Sequence, residues 1–105
     1  MEEFASGSKE LSSEMTLPPF KQKGWVVEIK AVMSKGGVLC YEYTADERVS
    51  FNIHSHHGKD VSYHIKAEAE VSAGAFNAPA DHDYYVMWEN KLPRAVKLKY
   101  RLSRN

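Results

Sequence analysis

"RVSFNIHSHHGKDVSYHIKAEAEV", residues 48–71, decides how this chain is read. Its first half alternates Val49, Phe51 and Ile53 against Ser50, Asn52, His54 and His56, the period-two pattern of a strand with one wet face. Its second half alternates Val61, Tyr63 and Ile65 against Ser62, His64 and Lys66, and Gly58 stands between the halves as a turn residue. The stretch therefore predicts an antiparallel hairpin with one apolar and one polar face.

The same pattern runs outward in both directions. "WVVEIKAVM", residues 25–33, sets Trp25, Val27, Ile29 and Ala31 against Val26, Glu28, Lys30 and Val32. "SKGG" then supplies a glycine-rich turn into "VLCYEYTA", which predicts a hairpin between these two strands. Towards the end, Tyr84, Val86 and Trp88 share one face of a strand, "ENKLPR" turns, and a last strand points Val96, Leu98, Tyr100 and Leu102 inward with Lys97, Lys99 and Arg101 outward. No apolar stripe of helical period persists for three turns. Six to eight short strands at this spacing predict an all-β antiparallel two-sheet β-sandwich, with Trp25 and Trp88 in its core.

A chain of 105 residues is the size of one domain. The expected division is a flexible polar tail over 1–15, unless it adds an edge strand, followed by a single sandwich domain over 16–105. Lys plus Arg and Asp plus Glu balance at 14 each, so no overall field attracts nucleic acid. The first residues, "MEEFASGSKELSSEM", carry no basic and apolar leader, and no run is long enough to span a bilayer. On this reading the chain is soluble, and membrane association requires an anchor that it does not carry.

The run from Met15 to Leu102 offers "LPPF", "VVEIKAVMSKGGVLCYEY", "VSFNIHSH", "GAFNAPADHDYYVMWENK" and "AVKLKY". This pattern of aromatic, glycine and turn positions resembles small GOLD-like (emp24-type) β-sandwich domains, in particular prokaryotic relatives anchored outside the cytoplasm. The resemblance implies a non-catalytic, extracytoplasmic binding module. One departure stands out: "DHD", Asp81 to Asp83, follows Ala-Pro-Ala where related sequences tend to have a turn glycine.

The histidines are the strongest chemical signal. Three of the five lie at 54, 56 and 57, and His64 follows across the turn. His54 and His56 share the polar face of their strand. A three-residue loop at Gly58-Lys59-Asp60 would place His64 opposite His54, with Cβ atoms roughly 4.5–5.5 Å apart, close enough for imidazole nitrogens to share one ion at about 2.0 Å each. The expected metal ligands are His54, His56 and His64, supplemented by His57, Asp60 or His82. Copper ranks ahead of zinc in the affinity order of nitrogen donors, and no organic cofactor is expected. The competing readings are a solvent-facing strand with incidental histidines in a protein–protein interaction domain, and a pH switch of neighbouring imidazoles.

Catalysis is not expected. A copper-dependent, dismutase-like arrangement of His-x-His with His64 and His82 lacks a recognisable bridging-ligand loop, acidic zinc site and disulfide pair. No Ser-His-Asp spacing, phosphate loop or CxxC is present. Cys40 sits mid-strand and is expected as a buried structural thiol. Met33 and Met87 are expected to pack, and Asn90 to hold a turn.

Overall fold

A computed structural model describes residues 2–4 and 8–105, without the side chains of Glu2 and Glu3. Among these described residues seven strands run in chain order: β1 (Glu2–Glu3), β2 (Glu10–Leu17), β3 (Val26–Met33), β4 (Val38–His57), β5 (Asp60–Asn77), β6 (His82–Glu89) and β7 (Val96–Arg104). The hydrogen-bonded order is β1-β3-β6-β4-β7-β2, and β5 lies along the other edge of β4.

The β4–β5 hairpin is the spine of this arrangement. Thr44 pairs with Val71 and Val49 with Ala69, a register break at which the ladder jumps. Before the break β4 pairs with β7, from Leu39 with Arg104 to Ala45 with Leu98. After it the same edge pairs with β6, from Ser50 with Glu89 to His54 with Tyr85. One continuous strand thereby belongs to two layers, and its bend folds the sheet over itself. A break of this kind is how a long strand turns a corner without losing its backbone partners.

The apolar rows meet inside that fold. Trp88 from one layer stacks on Tyr100 from the other, with centroids 4.6 Å apart, and Phe51 and Tyr43 pack against the pair. Ile29, Val86, Leu39, Val96 and Leu102 fill the space around them and are fully buried. Asn90, fully buried at the turn after β6, donates to the carbonyls of Leu17, Pro18 and Arg94 and accepts from the amide of Leu92, so it ties the turn to β2. At Gly74 a Cβ would come within 2.6 Å of the Tyr41 hydroxyl, so the missing side chain lets the Tyr41 ring lie flat over β5.

Four expectations are corrected. Within the region expected as a tail, residues 10–15 belong to β2, which pairs in register with β7 from Glu10 with Ser103 to Leu17 with Val96. Glu2 and Glu3 pair in parallel with β3, and Phe4 is buried; residues 1 and 5–7 of that expected tail lie outside the described residues. In β2 the row Leu11, Ser13, Met15 and Leu17 faces the core side while Glu10, Ser12, Glu14 and Thr16 face out, an alternation sufficient to close a sheet edge. The glycine turn at 34–37 does not join a hairpin, because β6 lies between β3 and β4 and takes the whole of β3 from Val26 with Glu89 to Met33 with His82. Cys40 is exposed rather than buried, since its parity puts it on the outer side of β4. Trp25 precedes β3 and is only half-buried, edge-on to Phe20, whereas Trp88 is a core residue as expected.

Candidate functional site at the two faces of the hairpin tip

The tip closes with a two-residue turn. His57 pairs with Asp60, leaving Gly58 and Lys59 between them, and Gly58 has φ +64°. Glycine first with positive φ suits a primed turn whose twist matches the strands it joins. From this turn the register runs His56 with Val61, Ser55 with Ser62 and His54 with Tyr63, then shifts so that Ile53 pairs with Ile65. His64 is the extra residue of a β-bulge, and the bulge swaps the face on which neighbouring side chains point.

The consequence is a correction to the expected ligand set. His54 lies opposite Tyr63, not His64, so His54 and His56 occupy the outer face while His64 joins His57 and His82 on the inner one. Among the described residues, no group of three or more His, Cys, Asp or Glu side chains is placed to hold a metal ion. Asp60 sits at the exposed turn, paired with His57 through the backbone.

On the inner face, Ser55 is fully buried and its Oγ lies 2.9 Å from His57 Nε2 and 2.8 Å from His64 Nε2. A hydroxyl has one hydrogen, so it donates to one imidazole and accepts from the other, which fixes opposite tautomers on the two rings. The His64 ring packs against Phe76 and Tyr84, and the His57 ring against His82 at 4.7 Å. His82 Nδ1 accepts the amide hydrogen of Asp83 at 2.8 Å. Burial, and then the charges of His57 and His82, push the His64 pKa below the ordinary imidazole value. This polar cluster plugs one end of the core.

The outer face is different. Ser50, Asn52 and His54 form a row along β4, flanked by Glu68, Lys66 and Tyr63 on β5 and by Glu89, Met87 and Tyr85 on β6. The three floor residues are no more than 8% exposed although no strand among the described residues covers them, because longer side chains rise on either side. The result is a trough of about 390 Å³ over Ser50 and Asn52. His54 closes its end: its ring stacks on Tyr85, its Nδ1 donates to Asn52 Oδ1 at 2.6 Å, and its Nε2 lies 3.4 Å from Glu28. Burial lowers the His54 pKa despite the opposing pull of Glu28.

Beyond His54 the same face becomes apolar. Val61 and Tyr63 are 41% and 52% exposed, opposite His56 and His54, whose rings meet Tyr85; Val32, 51% exposed, lies further across the sheet on β3, beside Asp83. The sequence pattern assigns Val61 and Tyr63 to the apolar side of their strand; the bulge turns both outward. No sequence signal beyond the two-residue turn marks them as surface residues.

No family model matches the chain, and none of the curated proteins searched matches it. Similar solved structures exist. The periplasmic inhibitor of g-type lysozyme from Aeromonas hydrophila, PliG, superposes with a TM-score of 0.72 at 13% identity, over 97% of this chain and 91% of that one. The PliG of Salmonella Typhimurium gives 0.64 at 11%, over 100% and 99%. The pre-peptidase C-terminal domain of a Bacillus anthracis collagenase gives 0.69 at 11%, over 99% and 93%. At these identities the likeness establishes a shared small all-β fold; it lends no support to the GOLD type in particular.

Proposed function

We propose that this chain is a non-catalytic, extracytoplasmic protein-binding module that uses the outer face of the β4–β5 tip. The observation that carries the reading is the exposure of Val61 and Tyr63, neighbours on β5 beside His56 and His54, on a sheet face that no other described element covers. Exposed β-branched and aromatic residues with a polar surround have the composition of a recognition surface, where a rigid aromatic ring supplies contact area at small entropic cost. The periplasmic inhibitors of the same fold make a lysozyme-type enzyme the first partner to test. The interaction reading takes precedence over copper or zinc because the imidazoles are divided between two faces.

The test is binding of the purified chain to a g-type lysozyme, read by calorimetry and by inhibition of cell-wall lysis, alongside the Val61→Asp/Tyr63→Ala double variant. The proposal expects a complex with the original chain and at least a tenfold loss in the variant, the scale of removing one aromatic anchor. Equal binding by both proteins would contradict this face as the surface. No binding by either would contradict the lysozyme-type partner.

A further inference from the structure

The floor of the trough holds a hydrogen-bond donor that the fold leaves over. Asn52 is 5% exposed, its Oδ1 is taken by His54, and its Nδ2 meets no acceptor among the described residues. The Nδ2 is not sealed from solvent, so it opens on the trough, where the acceptor of a ligand can take the place of water.

The surrounding groups restrict what that can be. Ser50 donates to Glu68 at 2.7 Å, Glu89 stands on the opposite wall, Lys66 lies 4.8 Å over the Tyr63 ring, and Lys91 sits at the mouth. The charges of the lining cancel, two lysines against two glutamates. An anion entering the trough meets Glu68 and Glu89; a cation meets Lys66 and Lys91. A wholly apolar ligand leaves Asn52 and Glu89 unmatched. A neutral ligand whose every polar atom both donates and accepts satisfies all of them, and hydroxyl groups have that property.

We propose that the trough binds a neutral, hydroxyl-rich ligand, one or two sugar rings of a glycan. Asn52 Nδ2 donates to a ring hydroxyl, Glu89 accepts from one, and Lys66 donates to another. Tyr63 receives the C–H face of the ring when the flexible lysine stem swings aside. The volume lies at the small end of the range for ligand pockets. This site adjoins the apolar rim and does not depend on a protein partner.

The experiment is a titration of the full chain, labelled with nitrogen-15, with maltotriose, cellotriose and chitotriose in turn. The proposal expects saturable amide shifts with at least one sugar, centred on residues 50–52, 63–68 and 89–91. Asn52→Ala should weaken that binding about tenfold, the scale of one lost hydrogen bond at a desolvated site. Glu89→Gln leaves the His54–Asn52 bond in place and should also weaken it several-fold. A glycoprotein tested before and after enzymatic removal of its glycans separates the sources: binding lost with the glycans assigns the site to attached sugar, and binding confined to the trisaccharides assigns it to free sugar. Absence of trough shifts with all three sugars would overturn the proposal. So would shifts centred elsewhere, or trough shifts produced by acetate and not by sugar.

Discussion

The two faces of the β4–β5 tip carry the same residue types to different ends. On the inner face, His57 and His64 converge on a fully buried serine, and the rings pack against Phe76, Tyr84 and His82 to close the core. On the outer face, His54 is more deeply buried than either His57 or His64, yet it bonds sideways to Asn52 and faces Glu28, and it borders a trough and an exposed apolar rim. Imidazole is useful in both places because it offers a flat apolar ring with two polar atoms. What separates the faces is where the rings bond: inside, two of them share one buried hydroxyl, while outside, one bonds an asparagine whose amide donor opens on the trough.

This contrast predicts a graded response to substitution. Trp88→Ala, on the inner face where both layers meet, should cost about 3–5 kcal/mol in chemical denaturation, the range for deleting a buried aromatic. Ser55→Ala, which leaves two imidazole nitrogens without their shared hydroxyl, should cost about 1–3 kcal/mol by the same measurement. Asn52→Ala should cost about 1 kcal/mol, since the bond to His54 is lost while the amide nitrogen, open to the trough, gives up no partner in the chain. The rim double variant Val61→Asp/Tyr63→Ala should change stability by less than about 1 kcal/mol while removing binding. A rim substitution as damaging as Ser55→Ala would break the contrast.

The smallest effect expected is on pH dependence. His54 and His64 both have folded pKa values below the ordinary imidazole value, so the unfolded chain takes up protons first as pH falls. Their contribution to stability is complete above about pH 6.5 and is lost as pH falls from there through the depressed folded values. Denaturation midpoints should therefore decline from pH 7 towards pH 5, and His64→Gln should shallow the decline. An unchanged slope in that variant would show that His64 is not held neutral by its surroundings.

Much of the architecture was legible in the alternation. β7, β6 and the core half of β4 face as their apolar rows require, and the register on the core side of the bulge, Ile53 with Ile65 and Phe51 with Ala67, is the one the pattern predicts. The tip was not legible, for a specific reason. A two-residue turn at Gly58-Lys59 and the inward row Ile65, Ala67 and Ala69 are incompatible in an unbroken ladder, since the turn's register would set Lys66 against Phe51 in the core. Only a bulge reconciles them, and inserting a third loop residue instead gave a smooth ladder with His64 on the wrong face. The pairing of β3 with β6 rather than β4 was equally hidden, because a glycine turn looks the same whether the chain doubles back or crosses to the other layer.

The placement of the imidazoles can be measured in solution by nuclear Overhauser contacts between ring protons. The account predicts contacts from His64 to Phe76 and Tyr84 and from His54 to Tyr85, with none between His54 and His64. Direct ring contacts between His54 and His64 would contradict it and would return the three imidazoles to one side of the hairpin.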